Sequence, residues 1–173
     1  VRRPNRPLER LLPKDASRLT VVACPNCDNP ENMGAIVRIS AAFGVDALLL
    51  GSGCCDPFSR RVIRVSMGTA FTMPIYESRD LDGDVKRLRD EWRFELAGTV
   101  LDDRAEQLDA ARRSDRFAIL MGNEDAGLDT SWTDLCHRRL TIPMCRGTDS
   151  LNVAVAAGIV LHHFTRESVY DTR

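Results

Sequence analysis

"RLTVVACPNCDNPENMGAIVRISAAFGVDALLLG", Arg18 to Gly51, holds the pattern that decides the fold. It opens on a largely apolar run, Leu19 to Cys24, broken only by Thr20, with the length and composition of a buried strand. The turn "DNPENMG" follows, with Asn29 suited to cap a helix and Pro30 to sit in its first turn. "AIVRISAAFG" reads as that helix, closed by Gly44, and "VDALLLG" as a second strand. Strand, helix and strand in this order form a βαβ unit, which brings the two strands into parallel pairing.

The alternation continues outward. A helix is expected from Pro57 to about Ser66, then an extended piece, "FTMPIYE". "DGDVKRLRDEW" reads as a helix with its apolar side at Val85, Leu88 and Trp92, and "FELAGTV" as a strand. "DRAEQLDAARR" reads as a polar helix, "RFAILMG" and "RRLTIPM" as strands, and "SLNVAVAAGIVLHHFTRES" as a long helix. The pattern predicts an α/β domain with a mainly parallel sheet and helices on both faces. Residues 1–18, with three prolines and no periodicity, read as an N-terminal arm or linker, and residues 19–173 as the domain.

The 173 residues suffice for one domain with a substantial core. No apolar run approaches the ~20 residues that span a bilayer, and no signal-peptide h-region precedes the domain, so a cytoplasmic protein without membrane contact is expected. The chain lacks an initiator Met, as a piece of a longer protein would. Net charge is −1, with no global pull toward nucleic acid, yet Lys14 and Lys86 are the only lysines among 24 basic residues. Arginine offers phosphate a planar fork of donors. It clusters at Arg2, Arg3, Arg6 and Arg10 and again at Arg60, Arg61 and Arg64. A local basic face and a general arginine bias both account for this. Of the six cysteines, Cys24 and Cys27 form a C-x-x-C. Zinc would need two more well-spaced ligands, which adjacent Cys54 and Cys55 supply poorly, so no metal is expected.

Three polar segments follow three strands: "NPENMGAIVR", "GNEDAGL" and "CRGTDSLN". Ligands of open α/β sheets gather beyond the carboxyl ends of strands, so the three are expected to share one rim. Neither the dinucleotide nor the P-loop glycine fingerprint is present.

"NPENMGAIVRISAAFG", "ILMGNEDAGL" and "IPMCRGTDSLNVAVAAGIVL" resemble, in order, the three motifs of the SpoU (TrmH-type) branch of the SPOUT RNA methyltransferases. "VIRVSMGTAFTMPIY" resembles the segment between the first two motifs. The resemblance runs from about Leu19 to Phe164. Asp125 departs from it, standing where the family usually has Gly, and the C-P-N-C before the first motif is not a family signature. The resemblance implies a C-terminal trefoil knot, S-adenosylmethionine as cofactor, methylation of a ribose 2′-hydroxyl in tRNA or rRNA, and a homodimer that shares RNA and cofactor groups across its interface.

It also carries roles onto residues. Arg38 falls at the catalytic position. A guanidinium stays charged, so Arg38 is expected to clamp the developing alkoxide or an adjacent phosphate rather than act as a base. Asn32 would orient the ribose or Arg38, and Glu124 would hold the site in register. Ser150 would cap the last helix, with Asn152 one step inside it, and the two together would fix the knot loop and hydrogen-bond the catalytic groups. Cofactor contacts are expected at Gly98, Thr99, Gly122, Asn123, Ile142, Met144 and Leu151, with Ile142 and Leu151 sandwiching the adenine. Arg60, Arg61 and Arg64 are expected to contact RNA phosphates. Two other readings stay open: a catalytically silent RNA-binding module of the same fold, and a nucleotide-dependent oxidoreductase using Cys24 and Cys27.

Overall fold

The computed structural model describes residues 7–13, 15–102, 104–123, 127–145 and 150–170, the last five as backbone only. Seven strands form one sheet: β1 (Leu19–Cys24), β2 (Ala47–Leu50), β3 (Ile75–Glu77), β4 (Glu95–Thr99), β5 (Glu106–Gln107), β6 (Arg116–Leu120) and β7 (Arg138–Thr141). Their order is β3-β2-β1-β6-β4-β7-β5 and every pairing is parallel. The chain builds outward from β1 to β3, then crosses to the other side, where β6 inserts between β1 and β4.

All six residues of β1 and all four of β2 are buried. The reason lies in the period of two: Val22 and Cys24 feed the core on one face, Val21 and Ala23 the core on the other. The first core is roofed by α2 (Pro30–Ala42), α3 (Arg60–Val65) and α6 (Val153–Tyr170). The second is roofed mainly by α4 (Leu81–Asp90), through Leu81, Val85 and Leu88, with Trp92 just beyond it. The sheet therefore has helices on both faces.

Local chemistry sets the helix bounds. Asn29 caps α2, its Oδ1 accepting from the Glu31 N–H at 2.8 Å, with Pro30 in the first turn. Gly44, at φ +67°, turns the chain toward β2. Asp80 caps α4 by accepting from the Gly83 N–H at 3.0 Å. Helix α6 is anchored on the sheet by Phe164, whose ring lies 4.7 Å from that of Phe117. Such a pair adds about 0.5–1.5 kcal/mol beyond burial.

Two expectations need correction. The expected polar helix at residues 103–113 is not formed over its described part: Glu106–Gln107 is the edge strand β5, followed by a 3₁₀ turn, Leu108–Ala110. Arg138 on β7 reaches Glu106 with two hydrogen bonds, of 2.8 and 2.6 Å, and Leu108 and Ala111 are buried, so tertiary partners override a weak helical preference. The segment read as an arm also packs on the domain from Leu8 onward. Leu8–Leu11 is a helical turn, α1; Leu8 and Leu12 are fully buried against α4, and Glu9 pairs with Arg87. The C-terminal portion, for which the resemblance implies a knot, includes residues 146–149, which lie outside the described residues.

Candidate active site

The carboxyl ends of β4, β6 and β7 open into a cleft with a cavity of about 80 Å³. Its wall is mostly apolar: Val100, Leu101, Met121, Leu140, Ile142, Met144, Leu151, Val153 and Ala156, with Thr99, Gly122, Asn123, Gly127 and Ser150 completing it. Thr99 donates from Oγ1 to the Leu120 carbonyl at 3.2 Å, tying the ends of β4 and β6. Beyond β6 the chain folds back on itself. The Asn123 N–H donates to the Gly127 carbonyl at 2.9 Å, and the Gly127 N–H to the Asn123 carbonyl at 2.8 Å. This return brings backbone against Gly122, where a Cβ would lie 2.4 Å from the Gly127 carbonyl carbon. Only a residue without a side chain fits there.

Of the residues expected at a cofactor, Thr99, Gly122, Asn123, Ile142, Met144 and Leu151 line this cleft. Gly98 does not. It faces α5 (Thr130–Thr133) and the residues around it; a Cβ there would lie 2.8 Å from Leu128 Cδ2 and 3.1 Å from Cys136 Sγ. Val100 and Leu101 escaped sequence reading, although they directly follow β4, where a rim residue is expected.

The first and third polar segments meet through two asparagines. Asn152 is the cap of α6, its Oδ1 accepting from the Ala154 N–H at 3.0 Å and the Val155 N–H at 3.3 Å. With the oxygen so engaged, the amide nitrogen points the other way and donates to Asn32 Oδ1 at 2.8 Å. Asn32 itself is buried in the first turn of α2. The expected roles of Ser150 and Asn152 are thus exchanged: α6 starts at Val153, too late for Ser150 to cap it, and Ser150 instead lines the cleft. Glu124 and Asp125 lie outside the described residues.

Arg38 is exposed on α2. It makes no hydrogen bond or ion pair with another described residue, and it is not among the residues lining the cleft. Arg60, Arg61 and Arg64 stand exposed on α3, with Arg61 paired to Glu31. The second and third polar segments therefore line the cleft together, and the first joins the third through Asn32, while the arginines stand apart from the cleft.

The ends of β1 and β2 also gather thiols. Cys54 donates from Sγ to the Cys24 carbonyl at 3.1 Å, and the Cys55 N–H donates to the Cys27 carbonyl at 3.0 Å. Burial pushes the Cys24 thiol well above its ordinary range and Cys54 up to about 11, which keeps both protonated at neutral pH. Among the described residues no group of three or more His, Cys, Asp or Glu is arranged to hold a metal ion.

A model of the SpoU rRNA Methylase family matches residues 19–162, the whole βαβ frame and both halves of the asparagine pair. The chain belongs to the SpoU rRNA Methylase family. An uncharacterized tRNA/rRNA methyltransferase of Mycobacterium bovis is 38% identical over 154 residues, covering 87% of this chain and 53% of the relative. The 23S rRNA (guanosine(2553)-2′-O)-methyltransferase RlmP of Bacillus subtilis is 33% identical over 150 residues, covering 87% of this chain and 59% of that protein. The chain thus spans little more than half the length of these curated relatives. Among solved structures, the SpoU methyltransferase AviRb of Streptomyces viridochromogenes in complex with AdoMet superposes with a TM-score of 0.79 at 28% identity, covering 94% of this chain and 64% of that one.

Proposed function

We propose that this chain is the catalytic domain of an S-adenosylmethionine-dependent methyltransferase acting on a ribose 2′-hydroxyl of tRNA or rRNA, working in the cytoplasm as a homodimer. The observation that carries the proposal is the Asn152–Asn32 hydrogen bond at 2.8 Å. It couples the helix bearing Arg38 to the segment that lines the cleft.

The cleft fits the cofactor. Its mouth is apolar enough for an adenine between Ile142 and Leu151, and the close backbone approach at Gly122 leaves main-chain groups for polar edges. Thr99, Asn123 and Met144 complete the contacts. When bound, the cofactor supplies an electrophilic methyl group on a sulfonium. The family's trefoil knot belongs to the same reading. Relatives named for 23S rRNA 2′-O-methylation, and a neighbour crystallised with AdoMet, support the reaction class.

Arg38 has a different task. A guanidinium remains charged, so it stabilises negative charge growing on the 2′-oxygen or holds the adjacent phosphate, while water or the phosphate takes the proton. Arg38 does not line the cleft of its own chain. The reading therefore has it serve the cleft of a second copy. Val155 and Ile159, 52% and 39% exposed on α6 beside α2, offer the apolar surface such a dimer needs. Arg60, Arg61 and Arg64 hold substrate phosphates.

Titration calorimetry with S-adenosylmethionine, paired with mapping of 2′-O-methyl groups in host RNA with and without the gene, tests the reading. Micromolar binding and the loss of one ribose methyl group are expected. NAD binding without S-adenosylmethionine binding, the outcome of an oxidoreductase, would sink it. A silent RNA-binding module would leave the methyl map unchanged.

A further inference from the structure

Between α3 and β3 the chain is unlike the rest of the molecule. Residues 57–76 contain three arginines and no Asp or Glu, a local net charge of +3 on a chain of net charge −1. The same stretch presents two large apolar side chains to solvent, Met67 at 72% and Phe71 at 56% exposure. Met67 sits at φ +53°, a left-handed conformation that costs a residue with a side chain. Phe71 closes the 3₁₀ turn Thr69–Phe71, whose middle residue, Ala70, is buried. Arg60 and Arg64 make no ion pair with any described residue.

Position adds to composition. A Cβ on Gly34 would meet Val65 Cβ at 2.6 Å, so α2 and α3 touch backbone to side chain at that point. Arg38 lies one helical turn beyond Gly34 on the same side of α2, and the 3₁₀ turn packs along α2 as well. An aromatic ring, a thioether and two guanidinium groups with no ion pair among the described residues therefore lie on a segment that packs along the helix bearing the proposed catalytic arginine; we call this segment the ledge.

We infer that this ledge docks the single-stranded RNA flanking the methylated ribose. Bases stack on Phe71 and lie against Met67, while Arg60 and Arg64 hold the intervening phosphates. The inference rests on the reading of the chain as an RNA methyltransferase domain. The partner is identified by chemistry: every base has a π-face for an aromatic platform, and a positive stretch without carboxylates suits a phosphate backbone. Stacking ignores sequence, so the ledge sets how the strand lies and leaves choice of nucleotide to other contacts.

The test uses a fluorescein-labelled single-stranded oligouridylate, anisotropy across a salt series, light scattering, and calorimetry with S-adenosylmethionine. Phe71→Ala is expected to weaken RNA binding about tenfold, the loss of one base stack, with an unchanged salt slope. Phe71→Leu, which keeps apolar volume, should recover little of that loss. Arg60→Ala with Arg64→Ala should reduce the salt slope by ~1.4. S-adenosylmethionine affinity should stay at the wild-type value in all of them. If Phe71→Ala lowers the oligomeric state at unchanged RNA affinity, the ledge is a subunit contact and the inference is overturned. Full affinity in both Phe71 variants overturns it too. If the wild type binds no S-adenosylmethionine yet Phe71→Ala still weakens RNA binding, the proposed function fails and the ledge stands.

Discussion

The cleft beyond β4, β6 and β7 and the face formed by α2 and α3 differ in what they are made of. The cleft is shaped by main chain, with Gly122 pressed against the Gly127 carbonyl and apolar side chains closing the rest. The helical face is made of side chains, with Arg38, Arg60 and Arg64 projecting from it. A site built from main chain recognises through shape and is damaged by added atoms. A site built from charged side chains acts through field and is damaged by removed ones. One asparagine pair joins the two.

Mutations should expose that difference. The largest effect is expected at Arg38. Arg38→Ala should lower turnover on saturating RNA by on the order of a hundredfold or more, the scale of losing one group that stabilises transition-state charge. S-adenosylmethionine affinity should hold, and Arg38→Lys should rescue poorly because a point charge lacks the bidentate fork. Near-normal turnover would remove Arg38 from the reaction. Next comes Gly122→Ala, where the added methyl group meets backbone rather than a movable side chain. Overpacking of this kind costs about 1–3 kcal/mol, so calorimetry should show S-adenosylmethionine affinity lower by roughly tenfold or more, with RNA affinity kept. Equal losses of both ligands would erase the distinction between the two regions.

The joint between them is tested at Asn152. Asn152→Ala removes a helix cap and should cost about 1 kcal/mol in denaturant unfolding. Asn152→Asp keeps the cap yet cannot donate to Asn32. It should recover the stability while turnover stays depressed. If stability and turnover recover together, the hydrogen bond to Asn32 is dispensable.

The smallest effect concerns pH. Burial raises the Cys54 and Cys136 thiols to about 11. A group whose folded pKa is raised contributes stability that is complete below its unfolded value, near 9, and is lost as pH rises through the folded value. Unfolding midpoints should therefore begin to fall above about pH 9, and fall less in Cys54→Ala.

The sequence made the frame legible because strands buried on both faces read as nearly continuous apolar runs. Leu19–Cys24 needed no interpretation, and Asn29 with Pro30 marked the start of α2 through purely local chemistry. What escaped depended on distant partners. Nothing within residues 103–113 says that Arg138 will draw Glu106 onto the sheet edge. Ser150 and Asn152 both suit a helix start. The choice between them rests on a contact with Asn32, which lies 120 residues away in sequence. Gly98 sits at a strand end as a rim residue should, but Leu128 and Cys136 occupy the space in front of it. Six of the seven residues expected at a cofactor nevertheless line one cleft, because loops that follow neighbouring parallel strands are delivered to the same edge.

The asparagine pair also orders events in time. Asn32, at the head of α2, is made some 120 residues before its partner. Closing so long a loop is slow compared with forming a local helix. A nascent or stalled chain thus carries the arginine-bearing helix without the amide that fixes it against the cleft. The coupling between α2 and the cleft segment therefore forms only with the start of α6.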